Sequence, residues 1–150
     1  MRILFDTSAL IDIDKKKDKA LPELMEELTD KNVELVISTV SISEFLTGVY
    51  LKSEVTKYSI KAKEFLMQFK WFDLDAETAE ETAKLIAHRL LEGKPIEYQD
   101  NVISATFKTA KADFLITTDI KHFDLPTLKG NVFTPSVFFR KLKEGKLSFI

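Results

Sequence analysis

Four acidic residues stand at the ends of apolar runs and are spread along the whole chain. Asp6 closes Ile3-Leu4-Phe5. Glu44 lies just past Leu35-Val36-Ile37, within Ser41-Ile42-Ser43-Glu44-Phe45. Asp100 opens Asp100-Asn101-Val102-Ile103-Ser104-Ala105, and Asp119 closes Phe114-Leu115-Ile116-Thr117-Thr118. Carboxylates that converge on one pocket repel each other, and their pKa values rise. A hard cation removes that cost. Mg2+ and Mn2+ prefer oxygen ligands, and Mg2+ keeps several waters and uses few carboxylates. The four acids therefore point to one pocket suited to Mg2+ or Mn2+. Thr7, Ser8, Ser41, Ser43, Thr117 and Thr118 stand beside them. Such hydroxyls can orient a carboxylate, a water or a phosphate oxygen, though turns and caps also use them. Glu97, one helical turn before Asp100, is a spare carboxylate.

Taken singly, each acid also has a structural reading. Asp6 before Thr7-Ser8-Ala9 suits a helix cap. Glu44 follows Ser41 by three residues, the spacing of a capping box. Asp100 suits the cap of the helix it opens, and Asp119 that of the turn Ile120-Lys121-His122. Capping explains one helix end at a time, whereas a cation site explains all four acids together.

The remaining inventory is thin. Cysteine is absent, which excludes disulfides, thiolate metal sites and thiol catalysis. The only histidines are His88, placed within a helix and read as surface, and His122, close enough to Asp119 to suggest a phosphate contact. No Gly-rich phosphate loop or nucleophile elbow occurs. The net charge of -2 argues against strong nonspecific nucleic-acid binding, but not against a nuclease whose metal site needs acids. Lys15-Lys16-Lys17, Lys108, Lys111 and Lys121 are candidates for a local basic patch, against the plainer reading of solvated surface. No apolar run is long enough to span a bilayer, and no signal-peptide core follows the N-terminus. A cytoplasmic protein is expected.

The elements that must position these residues alternate. Strands are expected at Arg2 to Phe5, Val33 to Ile37, Trp71 to Leu74, Phe114 to Thr118 and Asn131 to Phe133. Helical spacing covers Leu21 to Leu28, Glu44 to Tyr50 and Glu54 to Lys70. It resumes at Ala76 to Leu91, with an apolar face of Ala79, Ala83, Leu85, Ile86 and Leu90, then at Asp100 to Lys111 and from Thr134-Pro135 through Leu142. Alternating helices and continuously apolar strands indicate an α/β fold with a mainly parallel central sheet, covered on both faces. The 150 residues suit a single domain. In such sheets ligands bind beyond the carboxyl ends of the strands, where this order brings all four acids.

These motifs, in this order and spacing, resemble the PIN-domain ribonucleases, in particular the VapC-like toxins of toxin–antitoxin pairs. The resemblance rests on Phe5-Asp6-Thr7-Ser8-Ala9-Leu10-Ile11, Ile37-Ser38 through Ser43-Glu44-Phe45, Asp100 to Ala105, Ile116-Thr117-Thr118-Asp119 with Phe123, and Val132-Phe133-Thr134-Pro135. It implies a parallel sheet between helices, with Asp6, Glu44, Asp100 and Asp119 as the acids that bind Mg2+ or Mn2+ and cleave RNA. Thr117 or Thr118 takes the hydroxyl position beside the last acid. The resemblance also implies an inhibiting antitoxin and a homodimer, for which the phenylalanines Phe138, Phe139 and Phe149 offer apolar surface if they are not all core. The pattern departs at Thr118, where many relatives carry a basic residue, and at Ser104 and Phe107, where small apolar residues are common.

Two other function classes remain in view. A non-catalytic module on the same fold would bind RNA or protein away from an acidic scaffold. An aspartyl-phosphate enzyme would want a second Asp two residues after Asp6, where Ser8 stands.

Overall fold

The structure is a computed structural model that describes residues 1–15, 20–29 and 32–147. Its centre is a five-stranded sheet of β1 (Arg2–Phe5), β2 (Glu34–Ser38), β3 (Lys70–Phe72), β4 (Phe114–Ile116) and β5 (Val132–Phe133). The order is β3-β2-β1-β4-β5, and every neighbouring pair is parallel. Phe5 is in register with Ile37 on one side and Ile116 on the other. The chain builds outward from β1 to β2 and β3, then returns to add β4 at the opposite edge of β1. The β1/β4 boundary is thus the point where strand order reverses, the usual ligand crevice of an open parallel sheet.

Alternation along the strands sorts the core onto two faces. Ile3, Phe5, Ile37 and Ile116 pack with residues of α1 (Thr7–Lys15), α2 (Ala20–Thr29), α3 (Thr39–Tyr50), α4 (Val55–Leu66) and α7 (Pro135–Lys143). Leu4, Val36 and Leu115 pack on the other face with Ile103, Phe107 and Ala110 in and just after α6 (Tyr98–Thr109), and with Leu85 of α5 (Ala76–Leu91). The result is the expected three-layer α/β/α arrangement. Phe138 and Phe139 belong to this core. Phe149, Lys16 and Lys17 lie outside the described residues. Of the other lysines proposed as a basic patch, Lys108 is paired with Glu81.

Several boundaries moved. The helix expected from Glu44 begins at Thr39, because Ser38 ends β2 and its hydroxyl accepts from the Val40 N–H. The helix expected to reach Lys70 stops at Leu66, since Lys70–Phe72 is extended in register with Val36–Ser38. The strand expected through Thr118 ends at Ile116, where Thr117 and Thr118 turn into the hydroxyl cluster below β4.

A larger correction concerns α5. Ala79, Ala83 and Leu90 were expected on its buried face, yet all three are exposed. The buried side chains are Thr78, Thr82 and Arg89. Alanines contribute little to an apolar stripe, so the helix rotates to satisfy polar groups against α6. The Thr78 and Thr109 hydroxyls meet at 2.9 Å, and Thr82 donates to the Thr78 carbonyl at 2.7 Å. Gly93 then ends α5 in the left-handed region at φ 68°, with Lys94 N–H bonded back to the Arg89 carbonyl.

The aromatic pack under α7 carries much of this layer. Phe138 is fully buried, and its ring centroid lies 5.2 Å from that of Phe114 and 5.8 Å from that of Phe133. Phe138→Ala should cost roughly 3–5 kcal/mol of unfolding free energy. Urea denaturation at pH 7 checks it, and a loss under 1 kcal/mol would show that α7 is dispensable to the core.

Candidate metal centre

The residue at the end of β1 is fixed by the sheet itself. Asp6 donates its backbone N–H to the Ile116 carbonyl at 2.9 Å, which extends the β1/β4 ladder by one step. Its own carbonyl accepts from Leu10 N–H, so it also starts α1. Its carboxylate is buried and receives three donors. The Thr7 N–H reaches Oδ1 at 2.6 Å, while the Ser8 and Thr117 hydroxyls both reach Oδ2 at 2.7 Å. The Thr117 hydroxyl oxygen then accepts from Asp119 N–H, and that of Ser8 from Thr118 N–H, each at 3.0 Å. Burying a carboxylate is costly unless such bonds replace water. Thr117 and Ser8 thus orient the carboxylate, whereas the Thr118 side chain is exposed and contributes only its backbone.

Glu44 is not part of a capping box. It sits in the second turn of α3, beyond the cap supplied by Ser38, and accepts from the Thr7 hydroxyl at 2.7 Å. Asp100 does not cap α6 either. Glu97 holds that position without a side-chain cap bond, and Asp100 lies in the first turn. Asp119 precedes the short 3-10 turn Ile120–Phe123 and likewise makes no capping bond with its side chain. The structural readings of these three acids therefore fail, and Asp6 alone shares a helix-starting role with the cleft.

One cleft of about 410 Å³ collects Asp6, Thr7, Ser8, Glu44, Glu97, Asp100 and Asp119, with Ile11, Gln99 and His122 on its wall. Burial pushes the Glu44 carboxyl above its ordinary range. The Thr7 bond opposes that rise, and the charges of Asp6 and Asp100 add to it. Burial also raises Asp100, with Asp6 adding and His122 opposing. The pocket therefore concentrates like charge that the protein only partly neutralises.

His122 is the cleft residue the sequence placed least well. Its Nδ1 lies 2.7 Å from Asp100 and 3.4 Å from Asp119. The legible signal was its three-residue spacing from Asp119, which a single 3-10 turn brings to one side. His88 is on the surface beside Glu92, as expected.

The donor set is almost entirely hard oxygen, which suits Mg2+ or Mn2+ rather than a thiolate-seeking metal. Among the described residues, no three of the acids and imidazoles already converge at metal-ligand spacing.

A family model described as the PIN domain matches residues 3–127, which includes all four acids. The chain belongs to the PIN-domain family. Comparison with curated proteins finds no significant match. Among solved structures, this PIN domain is similar to VapBC2 from Rickettsia felis, bound to a DNA fragment from their promoter. The TM-score is 0.79 at 22% identity, covering 89% of this chain and 98% of that one. It is similar to DNA-bound VapBC from Salmonella typhimurium, with TM-score 0.79, 18% identity, and 90% and 98% coverage. A toxin–antitoxin complex from Klebsiella pneumoniae gives TM-score 0.67 at 22% identity, with 89% and 97% coverage. At these identities the likeness establishes the fold.

The raised carboxyls of this PIN domain make a testable linkage. A carboxyl whose folded pKa exceeds its unfolded value binds its proton more tightly in the native state. Stability is then lost as pH rises from the unfolded value through the folded one. Without divalent ions, Glu44→Gln should raise the melting temperature at pH 7 by roughly 1–3 °C, a small gain because the site is partly solvated. The gain should vanish toward pH 4. Thermal melts in chelator at both pH values test this, and a variant less stable at pH 7 would contradict it.

Proposed function

We propose that this PIN domain is a Mg2+- or Mn2+-dependent endoribonuclease and the toxin of a toxin–antitoxin pair. The observation that carries the reading is the Asp6 carboxylate, buried and held by three donors at the floor of a cleft lined by Glu44, Asp100 and Asp119. Asp6, Glu44 and Asp100 would hold the principal ion, and Asp119 would complete the set or serve a second. When bound, such an ion offsets charge on the phosphate and makes the attacking water more acidic.

The protein's own part is positioning. Thr7, Ser8 and Thr117 keep two of the acids from rotating. His122 sits between Asp100 and Asp119 and would contact the anionic phosphate as RNA enters. The solved neighbours include VapBC and toxin–antitoxin complexes, which supports an antitoxin as partner of this chain. No helix among the described residues is long and apolar enough to cross a membrane. We place the metal-dependent reading above a non-catalytic module because a scaffold has no physical reason to gather like charges.

Asp6→Asn should reduce RNA cleavage in Mg2+ or Mn2+ by more than about 100-fold, the scale of losing a key charge in the site, while the melting temperature stays within a few degrees. Full activity in a well-purified variant would sink the assignment. A homodimer is also expected. A monomer in light scattering at micromolar concentration would remove that part of the proposal.

A further inference from the structure

Arg89 is a buried cation behind the cleft. It stands in the last turn of α5, on the polar face that the sequence pattern hid, and is only 6% exposed. Its Nη2 donates to the His122 carbonyl at 3.3 Å, and its Nε is buried with no partner. Burial lowers its pKa, and the charges of Asp100, Glu92 and Asp124 oppose that fall. A guanidinium this far from water is expensive unless anions and acceptors replace its hydration. Core packing alone would be served better by an apolar side chain.

Its one hydrogen-bond partner, the His122 carbonyl, explains the choice. Asp100 belongs to α6, while His122 and Asp124 bracket the end of the 3-10 turn that follows Asp119. This turn has few other polar ties. Asp119 N–H bonds the Thr117 hydroxyl, and the His122 side chain reaches Asp100. Phe123 anchors it in the core from below. Arg89 is thus a polar link between α5 and the turn that carries Asp119 and His122.

We infer that Arg89 is a positioning residue, a buried cation that clamps the Ile120–Phe123 turn and thereby sets Asp119 and His122 relative to Asp100. It is not among the residues that line the cleft. The inference rests on the metal-site reading above only for its consequence in metal binding. The clamp itself is independent of that reading.

The test uses the full chain with Arg89→Met, Asp119→Asn and the double variant. Amide hydrogen exchange should quicken across residues 119–124 in Arg89→Met, with α6 beyond its first turn unchanged. Mn2+ affinity, from titration calorimetry, should fall about tenfold, as removal of an outer support for metal ligands does. In the Asp119→Asn background the same substitution should cost clearly less affinity, because only the His122–Asp100 contact then remains to be set. A purely structural role would instead lower affinity equally in both backgrounds. If Arg89→Met does not fold, Arg89→Lys keeps the charge but loses the planar fork and carries the same measurements. Unchanged exchange at 119–124, or equal loss of affinity with and without Asp119, would overturn the inference. Wild-type protein that binds no Mn2+ would sink the metal reading, while the exchange data would still decide the clamp.

Discussion

The pairing of β1 with β4 is the constraint on which the rest of the site depends. Asp6 is buried at the end of the central strand, and two of its three donors come from its immediate sequence neighbours Thr7 and Ser8. The third comes from Thr117, at the end of β4 and 111 residues away. That donor is available only when Phe5 faces Ile116. Strand side chains alternate between faces, so a slip of one residue would turn the Thr117 hydroxyl to the other side of the sheet. The register that buries Ile3, Phe5 and Ile116 in one core is therefore the register that orients the carboxylate. Packing and site geometry are fixed by the same hydrogen-bond ladder.

Around that fixed point the protein tolerates charge it could have avoided. Glu44 and Asp100 are pushed toward protonation by burial and by their acidic neighbours. Thr7 and His122 offset part of that cost. A fold selected only for stability would replace these acids. Keeping them sacrifices stability, which a binding role of the proposed kind would explain.

The helices serve the cleft unequally. The short α1 begins at Asp6 and carries Thr7 and Ser8 by direct covalent continuity. α3 delivers Glu44 only because Ser38 starts that helix early enough for Glu44 to fall on the face toward Thr7. The α5/α6 pair supplies Asp100 and the buried Arg89 through a polar seam of threonines. Such a seam leaves the pair held by specific hydrogen bonds and less by apolar area.

Much of this was legible in the residues. Apolar runs with strand length, separated by amphipathic helices, determine a parallel sheet, because both faces of each central strand must be buried. Acids at the ends of those runs must then gather at one edge. Tertiary structure alone decided which acids were caps, since caps and metal ligands use the same residue types. Glu44 has a capping-box neighbour three residues away, yet its partner is Thr7, 37 residues away. The face of α5 was misread for a related reason. Alanines leave a weak stripe, and the direction a helix turns is then set by hydrogen bonds to its neighbour. Arg89 gained its place from a contact across elements, which no spacing along the chain encodes, whereas His122 left one trace, its three-residue spacing from Asp119.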